Sequence, residues 1–124
     1  MKTVLVVDDE PALRAVLRAV LDDEGYTVLE APHGQAMLEL LEQERPDLVL
    51  MDVMMSGGDG REAYREMRTR MDLPDMPVVM MSAAVRPDGL DSSIAAFVRK
   101  PFDLDHLMAL VADLIGPPDA CRPA

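Results

Sequence analysis

The sequence predicts a single α/β domain built on an open parallel sheet, and three features of the chain lead to that reading. A length of 124 residues with 49% hydrophobic content can bury one core of its own and is too short for two ordinary domains. The short apolar runs are continuous rather than alternating, the pattern of strands covered on both faces. Helical patterns fill the intervals between the runs, so strand and helix alternate along the chain and right-handed crossovers follow.

In chain order, VLVV at 4–7 is the first strand. Leu13, Val16, Leu17, Val20 and Leu21 then recur at helical spacing, with Pro11 suited to a first turn and Gly25 to the stop. YTVLE at 26–30 is a weaker second strand, followed by a helix over 35–44 that turns Met37, Leu40 and Leu41 inward and ends before Pro46. DLVLM at 47–51 is the third strand, and 61–70 form a helix with Ala63, Tyr64 and Met67 as its apolar stripe. After a fourth strand, PVVMM at 77–81, the stretch 82–94 carries Pro87, Gly89 and a polar run, which leaves room for at most a short or irregular helix. AAFV at 95–98 is the fifth strand. Leu104, Leu107, Leu110, Val111 and Leu114 make the last helix, capped by Asp103 and stopped by Gly116. The domain therefore spans 1–116, and 117–124 are expected to be a disordered tail.

A formal charge of -11 argues against direct binding to nucleic acid or to an anionic membrane, since both rely on clustered Lys and Arg. Cations and basic protein surfaces are the natural counterparts. The single cysteine, Cys121, cannot form an internal disulfide, and the N-terminal apolar run is far too short for a signal peptide or a membrane span. The expectation is a cytoplasmic protein. Eleven methionines fill the core in place of aromatic residues and need no functional explanation as a group.

Ligand sites of open parallel sheets lie at the carboxyl ends of the strands. The first strand delivers Asp8 and Asp9 there, the third Asp52, the fourth Ser82 and the fifth Lys100. Carboxylates packed together raise one another's proton affinity and so ask for a cation, and hard oxygen ligands select Mg²⁺, with Mn²⁺ as an alternative. With a phosphate added, the same group of residues makes a phosphoryl-transfer site. One carboxylate is the nucleophile, the metal neutralises the transferring oxygens, Lys100 adds a positive charge and Ser82 donates its hydroxyl.

These residues resemble the receiver domains of two-component response regulators over positions 1–116. The matching elements are VLVVDDE at 4–10, LVLMD at 48–52, Asp59-Gly60, Ser82-Ala83, and Phe97 with Lys100-Pro101-Phe102. The resemblance implies a flavodoxin-like fold with five parallel strands in the order 2-1-3-4-5. It implies Asp52 as phosphoacceptor and Asp9, Asp52 and the backbone carbonyl of Met54 as direct metal ligands, with Asp8 acting through a metal-bound water. Ser82 takes the switch hydroxyl position and Phe97 the aromatic position whose rotamer follows activation. The implied donor is a sensor histidine kinase or phosphotransfer protein, and the output is an unidentified downstream protein, bound by a monomer or by a phosphorylation-dependent dimer. The chain is then a switch rather than an enzyme.

It departs from the family in three places. Ser56 and Gly58 replace a proline and an apolar residue in the loop after Asp52, which should loosen it. The interval between Ser82 and Lys100 is about one helical turn, roughly four residues, shorter than usual. Met54 and Ala84 occupy positions that tune self-dephosphorylation and offer no polar group to orient water, so slow autophosphatase activity is expected.

Plainer readings stand beside these. Asp8 and Asp9 can serve as the N-cap region of the first helix, and Ser82 as a turn hydroxyl. His33 and His106 read as solvent-exposed, and Met54-Met55 as packing or loop exposure rather than a redox sensor. Two rival functions compete with the switch: a degenerate receiver that binds partners without phosphorylation, and a metal-dependent phosphohydrolase. The second lacks a general acid where Val53 and Met54 stand.

Overall fold

A computed structural model describes residues 2–55, 58–70, 76–82, 96–100 and 102–116. Its strands are β1 (Thr3–Val7), β2 (Thr27–Ala31), β3 (Leu48–Asp52), β4 (Met54–Met55), β5 (Gly58–Asp59), β6 (Val78–Ser82) and β7 (Ala96–Arg99). Its helices are α1 (Pro11–Glu24), α2 (Gly34–Leu41), α3 (Gly60–Arg70) and α4 (Leu104–Ile115). Five strands pair in parallel in the order β2-β1-β3-β6-β7, while β4 and β5 form a separate antiparallel ribbon. Counting only the strands of the main sheet, this is the expected order 2-1-3-4-5. The short fourth crossover helix, the Lys100-Pro101 bond isomer, the Ser56-Gly57 loop, Ala84 and the C-terminal tail all lie outside the described residues.

Strand parity explains why the apolar runs are continuous. Leu5, Val7, Val49, Met51, Val78 and Met80 point to one face and meet α2 and α3 through Met37, Leu38, Leu41, Tyr64 and Met67. Val4, Val6, Leu48, Leu50, Val79 and Met81 point to the other and meet α1 and α4 through Leu17, Leu21, Leu107, Met108 and Val111. Every second residue serves a different helical layer, so the central strands stay apolar until their last residues, Asp52 and Ser82. Six of the methionines pack in these two clusters, where an unbranched, polarizable chain fills irregular space.

Local rules set the element ends. Pro11 occupies the first turn of α1, and Gly25 ends the helix at φ 103°, a left-handed conformation that suits a residue without Cβ. The Gly25 and Tyr26 amides donate to Asp22 and Leu21 carbonyls, which closes a Schellman motif. Tyr26 is therefore a buried terminator rather than the first strand residue. Its hydroxyl donates to the Gly116 carbonyl at 3.1 Å and ties the start of β2 to the end of α4. Asp103 caps α4 as expected, accepting from the Asp105 amide at 2.9 Å.

Three expectations are corrected. The second to fourth strands, and the described part of the fifth, run one residue further than the apolar runs, because the pairing ladder takes in Ala31, Asp52, Ser82 and Arg99. Val16 is 44% exposed rather than inward, since α1 buries only Leu17 and Leu21 fully and leaves Leu13 and Val20 partly covered. His33 is half-buried, and its Nδ1 accepts from the Ala36 amide at 3.1 Å, making it the N-cap of α2.

Candidate phosphoacceptor and metal site

The parity that builds the core also builds the site. Asp8 continues the series Val4, Val6 beyond the end of β1; Asp52 continues Leu48, Leu50 in β3; Lys100 follows Val98. All three therefore emerge on the side covered by α1 and α4. Asp8 and Asp52 are buried, with exposures of 0% and 6%. One carboxylate oxygen from each of Asp8, Asp9 and Asp52 lies within 4.8 Å of the others.

The Lys100 ammonium donates to Asp8 Oδ2 at 2.8 Å and stands 3.4 Å from Asp52 Oδ2. Burial by itself lowers the proton affinity of this lysine. The hydrogen bond it donates to Asp8 and the fields of Asp52 and Asp8 outweigh that cost and leave its pKa above the ordinary 10.5. The other Asp8 oxygen accepts from the Glu10 amide at 2.9 Å. Glu10 is the N-cap of α1 without any side-chain cap bond, so Asp8 performs part of the capping duty and still faces the cluster.

Asp52 is fixed from behind. The Val53 amide donates to the Met81 carbonyl at 2.9 Å, and the Gly60 amide donates to the Val53 carbonyl at 2.7 Å. A Cβ on Gly60 would come within 2.3 Å of the Asp52 carbonyl oxygen, so only glycine allows α3 to start this close to the strand. Met54 pairs with Asp59 in the β4–β5 ribbon, two residues past Asp52.

Ser82 is 1% exposed at the end of β6, and its carbonyl accepts from the Lys100 amide at 2.7 Å. It shares the parity of Val78 and Met80, on the α2–α3 side of the sheet. Phe97, opposite Met80 in the pairing of β6 and β7, packs half-buried against that same cluster. Asp8, Asp52 and Lys100 thus occupy one side of the sheet edge, and the hydroxyl and the aromatic ring belong to the other.

Sequence reasoning missed Arg14 and Glu30. The Arg14 guanidinium donates to the Asp8 backbone carbonyl at 2.7 Å and to Glu30 Oε1 at 3.3 Å. Glu30 falls on the α1 side of β2 by the same parity as Val28, and that alternation was the available signal. An open groove of about 490 Å³ runs from Lys100 between α1 and α4, lined by Leu13, Val16, Phe102 and Leu104.

The donor set fits a hard divalent cation. Its side-chain oxygens are carboxylate, and their formal charges outnumber the single ammonium among them. No helix among the described residues is long and apolar enough to cross a membrane.

Comparison with known proteins finds the same fold and related sequences. The family model for the response regulator receiver domain matches residues 4–112. The response regulator MprA of Mycolicibacterium vanbaalenii is 39% identical over 116 residues, which cover 90% of this chain and 49% of the relative. The chain thus spans about half the length of the curated relatives it matches. The crystal structure of response regulator TrrA from Thermotoga maritima, in complex with Mg²⁺-BeF, superposes with a TM-score of 0.83 at 34% identity, covering 92% of this chain and 99% of that one. Chemotaxis response regulator CheY4 of Vibrio cholerae gives 0.82 at 25% identity, covering 92% and 98%.

Proposed function

The chain belongs to the response regulator receiver family, and from that premise we propose that Asp52 is the phosphoacceptor of a Mg²⁺-dependent signalling switch. The observation that carries the reading is the meeting of Asp8, Asp9 and Asp52 within 4.8 Å, with Lys100 touching two of them. Asp9, Asp52 and the Met54 carbonyl would hold the ion, with Asp8 acting through water. When bound, Mg²⁺ neutralises the phosphoryl oxygens and lowers the barrier to their approach by a carboxylate.

An Asp52 oxygen attacks phosphorus in line. The bond from phosphorus to the donor's imidazole nitrogen breaks, and its electron pair leaves with the imidazole. The Lys100 ammonium shifts from Asp52 onto a phosphoryl oxygen and keeps its bond to Asp8. Ser82 donates its hydroxyl to a second oxygen. Its carbonyl is already tied to Lys100 and it shares a sheet face with Phe97, so a small displacement reaches the aromatic ring and the α2–α3 layer. Val53 is fully buried and apolar, so the residue after the nucleophile offers no acid for turnover, and the domain acts as a switch rather than a phosphohydrolase.

The donor is a histidine kinase or phosphotransfer protein that approaches over the groove between α1 and α4. The output is a protein partner, with dimerisation upon phosphorylation as one form it takes, in the cytoplasm and without direct contact to nucleic acid or membrane. Intact mass after incubation with acetyl phosphate and Mg²⁺ tests the core of this. The native chain gains one phosphoryl group and Asp52→Asn gains none; equal labelling of both would end the proposal.

A further inference from the structure

The loop that carries Asp8 and Asp9 is not held by the sheet alone. Beyond Val7 its main-chain contact to β2 is a 3.2 Å bond from the Asp8 amide to the Ala31 carbonyl. Its own carbonyl at Asp8 is taken by Arg14, whose guanidinium donates at 2.7 Å and is itself braced by Glu30 at 3.3 Å. Glu30 is held in turn by Arg18 through its second oxygen at 2.6 Å. Arg14 is largely buried, with 18% of its side chain exposed, so this is not a loose surface pair.

We infer that Arg14, braced by Glu30, is a positioning residue for metal binding: it fixes the peptide between Asp8 and Asp9 and thereby aims the Asp9 carboxylate at the Asp52 edge. The inference rests on the metal site proposed above. The Asp8 carbonyl belongs to the peptide that leads into Asp9, so rotating it swings the Asp9 Cα–Cβ bond. A fork with several fixed donors can hold a carbonyl and a carboxylate at once, which a single ammonium cannot do with the same geometry. Groups that orient ligands without touching the metal carry a large share of affinity, typically tenfold or more when removed.

Removing Arg14 also removes a positive charge near the acids, which alone would tighten cation binding. Arg18→Gln supplies the control, because it deletes an equal charge one turn along the same helix, on a residue that bonds the same Glu30 carboxylate. Mg²⁺ titration followed by amide NMR shifts, with thermal melting of each metal-free variant, separates the effects. Arg14→Gln is expected to weaken Mg²⁺ binding roughly tenfold, Arg14→Lys to weaken it in the same direction, and Arg18→Gln to leave it within about twofold, with a smaller loss of melting temperature because its side chain is 56% exposed. Should Arg14→Gln prove unfolded, the lysine variant carries the comparison. If the Arg14 variants bind like Arg18→Gln, or more tightly than the native chain, the inference is wrong while the site stands. If the native chain itself ignores Mg²⁺, the reading of the site falls and this inference with it.

Discussion

Removing the Lys100 ammonium would leave the buried Asp8 and Asp52 carboxylates facing each other, since the amine stands 2.8 Å and 3.4 Å from them. Lys100→Met should therefore cost about 3 kcal/mol of stability in the absence of metal. Mg²⁺ would take over part of the lost neutralisation, so the rise in melting temperature on adding it should be larger in the variant than in the native chain; an equal rise would contradict the electrostatic account. Alkaline pH probes the same lysine differently. Lys100 and Tyr26 both have raised pKa values when folded: for Lys100 the pull of Asp8 and Asp52 exceeds the cost of burial, and for Tyr26 burial comes first and the Glu24 charge second. A group that keeps its proton longer in the folded state favours folding below its unfolded pKa, and that contribution is lost as pH rises through the folded value. Stability should thus fall from about pH 10 upward, and Tyr26→Phe should flatten part of the fall while costing about 1 kcal/mol at neutral pH through the lost bond to Gly116. Melting temperature against pH for both chains checks it. The acids and Lys100 were legible as residues because their types and strand-end positions are written in the sequence. Arg14, Glu30 and the Tyr26 hydroxyl were not, because their partners lie 6, 16 and 90 positions away and only tertiary packing joins them.

At the level of elements, the apolar runs located all five sheet strands but misjudged their ends by one residue. A hydrophobic pattern stops at the last apolar side chain, whereas a backbone ladder continues as long as a neighbour offers partners, which is why Asp52 and Ser82 lie within strands. The two-residue β4–β5 ribbon has no periodicity to read. The sequence shows no cap at His33, because cap statistics favour Ser, Thr, Asp and Asn, yet an imidazole nitrogen does the same work here. Helix α3 shows how an element end serves the site. Its first residue, Gly60, is close enough to Asp52 that an added Cβ would meet the carbonyl oxygen at 2.3 Å and Val53 atoms at 3.2 Å. Gly60→Ala must push the start of α3 and the end of β3 apart, at a cost of about 1–3 kcal/mol. Because β3 carries Asp52, phosphorylation by acetyl phosphate should slow as well, and a variant that loses stability but labels at the native rate would separate the helix start from the site.

Across the whole molecule, the sheet divides the domain into two layers with different tasks: α1 and α4 cover the side from which Asp8, Asp52 and Lys100 emerge, and α2 and α3 cover the side shared by Ser82 and Phe97. The alternation of the strands decided which helices stand where, and the sequence made that legible as continuous apolar runs. The reach of α1 was not legible, because helical spacing puts Val16 on the apolar stripe while the actual packing buries only Leu17 and Leu21 completely. That error marks a surface. An exposed valine at the mouth of an apolar groove leading to Lys100 costs solubility without adding to the core, which makes sense if a donor protein covers it during transfer. Val16 is already 44% exposed, so Val16→Glu should change stability by no more than about 0.5 kcal/mol. Transfer from a phosphorylated kinase or phosphotransfer protein should slow about tenfold or more, as expected for a charge placed in an apolar contact. Labelling by acetyl phosphate, which needs no docking surface, should proceed at the native rate. Loss of both would mean that Val16 supports the site itself, and loss of neither would move the donor's approach to another face of the domain.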